Sequence, residues 1–444
     1  MLLILLIILS IVFIVVATTR FKLHPFLALL VAAFFFGLLA GIPLEQIIVS
    51  INEGFGGTIG SIGIIIIIGI IIGTFLENSG GAYTMANLIL KIIGQKRVHS
   101  AMAMIGYIVS IPVFSDSGFV ILAPLNKALT KKAGLSLAGT AVALSLGLMA
   151  THTMVPPTPG PIAAAGIIQA DLGMVILLGL ATSLGALFVT TWFAKHIASK
   201  VKIDPVPDMT QEELDRKLAT APSAGKSFLP ILVPIILIVL RSFAEYPTQP
   251  FGDGTFKTII SFIGNPVAAL FIGLAISLTL PKKLDRQMLS SSGWVGDALK
   301  SAAIIILITG AGGAFGKILQ ASEIGNVLGG MVSDSPLGLW LPFLVAASLK
   351  AAQGSSTVAI ITTASLMLPL LPSLGFESDI SRAMVVVAIG AGSNVVSHAN
   401  DSFFWVMTQM SDLNVKQGYK LLSVGTGLLG ITAMIILSII SIFF

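Results

Sequence analysis

Two apolar stretches carry a density of polar side chains that lipid-facing sequence does not tolerate. In the second of them Ser393, Asn394, Ser397, His398, Asn400, Asp401 and Ser402 fall within ten residues of otherwise hydrophobic chain. A charge at the centre of a membrane helix costs about 2.5–3.5 kcal/mol on insertion scales, so Asp401 needs a partner or a task. His398 has two open uses, as a proton site or hydroxyl-binding donor, or as a structural hydrogen-bonding group. His152 has the same two. It lies in the companion stretch THTMVPPTPGP, where Thr151, Thr153 and Thr158 accompany Pro156, Pro157, Pro159 and Pro161. Proline deletes a backbone donor and clashes with the preceding turn, so no continuous helix passes through this segment. Unwound backbone at membrane depth must be buried in protein or line a wet cavity. The half-helix after the break presents free N–H groups and a positive dipole end, which suit a carboxylate. A purely structural proline kink is the alternative.

Two further apolar stretches are interrupted by small polar residues. One is SDSG, with Ser115, Asp116 and Ser117; the other is QGSST, with Ser355, Ser356 and Thr357. Small residues let the chain turn there while hydroxyls and amides face inward. A carboxyl in a low-dielectric site is favoured in its protonated form, so Asp116, like Asp401, is a candidate proton-coupling group. Capping of the returning helix by Ser115 or Asp116 is the other reading. Lys350, an isolated cation just before QGSST, either attracts an anion, or snorkels or pairs with a carboxylate such as Asp401. No HExxH or similarly spaced ligand set is present and cysteine is absent, so no metal or cofactor is expected. An intramembrane enzyme using His152, His398 and Asp401 is the rival on these residues, and a channel the other.

The elements that position these groups follow from composition. The 444 residues are 55% hydrophobic and 10% charged, with a mean hydropathy of +0.99. That is too little polar surface for a soluble globule of this size, so the lipid bilayer is the solvent. Long, solidly apolar runs exclude an alternating membrane barrel and match a hydrocarbon core of about 30 Å. Net charge is +5, but the basic residues are scattered through short loops, which reads as orientation and not as nucleic-acid binding.

Ten spans are expected, at 2–18, 25–44, 59–76, 137–170, 172–195, 228–244, 259–280, 301–320, 383–410 and 421–443, those at 137–170 and 383–410 being interrupted. Residues 99–130 and 337–371 read as re-entrant helical hairpins. With both hairpins and an external N-terminus, 20 of the 25 Lys and Arg residues fall on the cytoplasmic side, all but Arg241, Lys257, Lys317, Lys350 and Arg382. Both termini are then periplasmic. A hydrophilic linker at 195–227, in which PVPDMTQEELDRKL reads as a turn and a short amphipathic helix, joins repeats 1–194 and 228–444. Each repeat crosses five times, so the second is inverted. The polar interruptions recur at an offset of 242 residues, from Ala150 to Gly392, and paired interruptions in inverted halves point to a transporter's central site. The fold class is an all-α polytopic membrane protein.

At these residues the chain resembles the gluconate permease family of bacterial carboxylate transporters, within a wider ion-transporter superfamily. THTMVPPTPGP, AQGSSTVAIIT and SHANDSFFW are similar to family patterns, and PVFSDSGFVIL resembles a segment in which relatives carry an acidic residue. Ser115-Asp116 stands where a bulkier residue and Glu are expected, and Thr158-Pro159-Gly160 where a His-Pro-Ala type sequence is expected. The resemblance implies proton-driven uptake of gluconate or a related small hydroxycarboxylate across the inner membrane, with Na⁺ coupling and a D-serine or hydroxybutyrate substrate as alternatives. It also implies a homodimer, and brings forward Asp116, Thr151, His152, Ser355, Thr357, Ser393, His398, Asn400 and Asp401 as site residues.

Overall fold

The computed structural model describes residues 2–94, 97–206, 213, 216, 219–245, 250–322 and 337–444, and among these the regular structure is entirely helical. The helix expected within 205–218 lies mostly outside the described residues. In chain order the helices are α1 (Leu2–Thr19), α2 (Pro25–Leu39), α3 (Leu44–Asn78), α4 (Gly81–Ile93), α5 (Val98–Val109), α6 (Ser115–Lys132), α7 (Leu137–Met154), α8 (Pro159–Ile168) and α9 (Leu172–His196). After the linker come α10 (Ala224–Ala244), α11 (Thr255–Ile263), α12 (Pro266–Ser277), α13 (Trp294–Ala321), α14 (Trp340–Gln353), α15 (Ser356–Met367), α16 (Asp379–Gly392) and α17 (Ser402–Met410). The last helix, α18 (Val415–Ser441), includes one π turn at Tyr419–Ser423. The chain is an integral membrane protein: six of its described helical segments are long and apolar enough to cross a bilayer, seven if the bent pair α11–α12 counts as one.

Several boundaries differ from those expected. α3 begins at Leu44, so residues 45–58 are helix and not loop. The glycines of this segment serve close packing instead: a Cβ on Gly54 would lie 2.5 Å from the Gly313 carbonyl oxygen, so two glycines let α3 and α13 cross backbone to backbone. α4 occupies sequence expected to be a connection. The span expected at 259–280 is two helices bent by 64°, because Asn265 caps α12 and Pro266 at its first position ends any continuation of α11.

Both proline-rich and polar interruptions are breaks. α7 stops at Met154 and α8 resumes at Pro159; α16 stops at Gly392 and α17 resumes at Ser402. The packing is reciprocal. α7 lies on α5 and α16 on α14, whereas α8 lies on α15 and α17 on α6. Each half-helix after a break therefore packs on a short helix of the other half of the chain. The breaks themselves meet where Asn394 Nδ2 donates to Thr153 Oγ1 at 2.6 Å.

Candidate functional site

A cavity of about 400 Å³ lies where the α5–α6 and α14–α15 connections approach the second break. The α5–α6 turn is Ser110–Phe114, so SDSG is the first turn of α6 and not the turn itself. Ser115 and Asp116 face the cavity from that turn. From the other connection come Gln353, Gly354, Ser355, Ser356 and Thr357, and from the second break Asn400, Asp401 and Ser402. His152 enters from the last turn of α7. Ile304, Ile305 and Ile308 of α13, with Phe114, Met149, Val358 and Phe403, supply an apolar wall.

The second connection is held rigidly. Gly354 ends α14 at φ +83°, a conformation glycine adopts without steric cost, and a Cβ there would lie 2.1 Å from Asn400 O. Asn400 Nδ2 donates to Ala351 O at 2.9 Å and Ala352 O at 3.2 Å, and His398 Nε2 donates to Ala351 O at 2.8 Å. These bonds satisfy carbonyls that the last turn of α14 leaves without helical partners. Behind them Lys350 Nζ donates to Asp401 Oδ2 at 2.6 Å and also to Gly354 O. Asp401 further accepts from Ser397 Oγ and, as the cap of α17, from Phe403 N at 3.1 Å.

The cavity side is the opposite. Asp116 Oδ1, His152 Nδ1 and both amide atoms of Gln353 are buried without a hydrogen-bond partner among the described residues. Asp116 Oδ2 accepts from Ser402 Oγ at 3.3 Å, a bond that joins the first turn of α6 to the second break. Buried polar groups are almost always paired, so several orphans around one cavity mark a place for a ligand. Helices α6, α15 and α17 all begin at the cavity with their positive ends, the last already capped by the Asp401 carboxylate.

The profile of the GntP family permeases matches residues 1–443 of the chain. The chain belongs to the GntP permease family. This permease is 34% identical to a gluconate permease of Pseudomonas aeruginosa, over 97% of its own length and 96% of the relative's. It is 33% identical to the D-serine transporter DsdX of Escherichia coli, over 96% and 95% of the two chains. Its fold is similar to that of the YdaH transporter of Alcanivorax borkumensis, with a TM-score of 0.68 over 95% of this chain and 98% of that one at 17% identity. The permease is a transport protein and not an enzyme.

Of the residues singled out in the sequence, Ser115, Asp116, His152, Ser355, Ser356, Thr357, Asn400 and Asp401 line the cavity. The others lie apart from it. Thr151 Oγ1 donates to Tyr107 O, Thr153 Oγ1 to Met149 O and Thr158 Oγ1 to Val155 O. Ser393 Oγ donates to Gly390 O, and Asn394 is engaged with Thr153. His398 stacks on Tyr419 beside its bond to Ala351. Lys350 is 1% exposed on its side chain and closed in its ion pair, and Ser117 is half-buried outside the cavity. The N-terminus of α8, expected to receive a carboxylate, is likewise outside; those of α6 and α15 line the cavity. Gln353 and Ser402, to which the sequence reading assigns no binding role, line the cavity. A polar amide directly before a turn glycine was the available signal for Gln353. The isoleucines of α13 had none, in a chain rich in isoleucine throughout.

Proposed function

We propose that this permease imports a small hydroxylated monocarboxylate, gluconate or a related sugar acid, by proton symport with alternating access in the bacterial inner membrane. The observation that carries the reading is the cavity of about 400 Å³ whose unpartnered polar atoms belong to Asp116, His152 and Gln353. A hydroxycarboxylate offers both donors and acceptors for such groups. Its carboxylate is suited to the positive helix ends of α6 and α15, and the gluconate and D-serine carriers among its relatives handle molecules of this kind.

In this reading Asp116 carries the proton. Asp401 is saturated by Lys350, Ser397 and the α17 backbone, so it serves as a positioning group, and Lys350 neutralises it instead of attracting substrate. A proton on Asp116 offsets the charge that the substrate anion brings, so loading leaves the net charge of the cavity unchanged and no second uncompensated charge enters the low-dielectric core. The reciprocal packing of α8 on α15 and α17 on α6 supports two inverted repeats, 1–194 and 228–444, with hairpins that enter and leave on one side. Twelve residues of α5 span about 18 Å, short of a bilayer crossing. Periplasmic termini and a homodimer complete the proposal. Counterflow tests it: unlabelled gluconate preloaded into proteoliposomes should accelerate entry of labelled gluconate, whereas a channel gives no acceleration.

A further inference from the structure

Gln353 is the last residue of α14, and its backbone neighbourhood is fully engaged. The Ala351 and Ala352 carbonyls accept from His398 and Asn400, and Gly354 N donates to Lys350 O at 2.9 Å. Its amide is not engaged. Both the nitrogen and the oxygen are buried at the cavity wall without a partner among the described residues. A side chain so placed has a fixed root and an unsatisfied head.

We infer that Gln353 is a specificity-determining residue that reads the hydroxyl next to the substrate's carboxylate, an assignment that rests on the transport reading above. An alcohol is at once donor and acceptor, and so is a primary amide, which makes Gln353, of the three orphaned side chains at this cavity, the one able to meet both halves of a hydroxyl without change of charge. The position follows from the chain. Across the tight turn at Gly354 lies the N-terminus of α15, the 12-residue helix Ser356–Met367, whose first N–H groups lack helical partners. A carboxylate held there places its neighbouring carbon beside Gln353. His152, only 8% exposed and with Nδ1 unpartnered, lines the same cavity and marks the same volume as a ligand's. Sites built to bond a substrate hydroxyl reject analogues that lack it far more strongly than apolar pockets reject a missing methylene.

The test uses the full-length permease purified in detergent, with labelled D-gluconate displaced by D-gluconate, 2-deoxygluconate, D-glycerate or 3-hydroxypropionate. Wild type is expected to prefer each 2-hydroxy acid over its 2-deoxy counterpart by at least about tenfold, and Gln353→Met to reduce that preference to about threefold or less. Since the amide bonds nothing among the described residues, Gln353→Met is also expected to melt, without ligand, no lower than wild type. A preference kept in Gln353→Met overturns the assignment. A marked loss of melting temperature or of fold overturns it too, because the amide would then be structural. Wild type that binds 2-hydroxy and 2-deoxy acids alike contradicts the role of Gln353 alone. Wild type that binds none of the acids contradicts the transport reading on which it rests.

Discussion

Lys350 and Asp401, 51 positions apart, form an ion pair at 2.6 Å with side chains only 1% and 7% exposed. The pair ties the end of α14 to the cap of α17, so the second connection and the second break behave as one unit. Removing one partner of such a pair strands a buried charge, at a cost of about 3–5 kcal/mol, whereas removing both removes the charge altogether. Lys350→Met and Asp401→Leu are therefore expected each to lower the melting temperature of the detergent-solubilised protein, and the double variant to recover most of the loss. Losses that add in the double variant would show that the two do not depend on each other.

Asp116 offers a cavity-facing carboxylate whose Oδ1 is unpartnered and whose Oδ2 has only the Ser402 hydroxyl. Asp116→Asn keeps the shape and one acceptor but cannot release a proton. It is expected to abolish accumulation driven by a pH gradient while leaving gluconate counterflow, which needs no net proton movement, within about tenfold of wild type, on the scale of one hydrogen bond. Accumulation that persists in this variant would remove Asp116 from coupling.

Gly354 has two constraints, a φ of +83° and a Cβ position 2.1 Å from Asn400 O. Gly354→Ala meets both the strained backbone region and the neighbouring carbonyl, with an expected destabilisation of about 1–3 kcal/mol. Uptake should fall with it, since the turn carries Gln353 and Ser355. Thermal melting and initial uptake rates check the two effects, and an unchanged melting curve would contradict the packing described.

Much of this architecture was legible because lipid removes alternatives. The run of prolines at Pro156, Pro157, Pro159 and Pro161 interrupts a helix, and α7 does end before it at Met154 while α8 starts within it at Pro159. The dense polar run ending at Ser402 likewise becomes a break. Small residues were harder to read. Glycines near Gly54 look like loop in one dimension, yet they are contact points whose partner, Gly313, is remote in sequence. The same limit applies within the site. Local sequence marks Thr151, Thr153 and Asn394 as polar at membrane depth, but whether a hydroxyl faces a cavity or a carbonyl depends on which helix crosses it. Lys350 was open between anion and ion pair until the fold brought Asp401 to it.

The central claim is proton-coupled import of a hydroxycarboxylate through the cavity of Asp116, His152 and Gln353. Its most direct test is uptake of labelled D-gluconate by proteoliposomes under an imposed pH gradient, acid outside, with and without a protonophore, and separately under a Na⁺ gradient at equal pH. Concentrative uptake that depends on the pH gradient and collapses with the protonophore is the predicted result. Accumulation driven by the Na⁺ gradient alone, or no accumulation above equilibrium under either gradient, would contradict it.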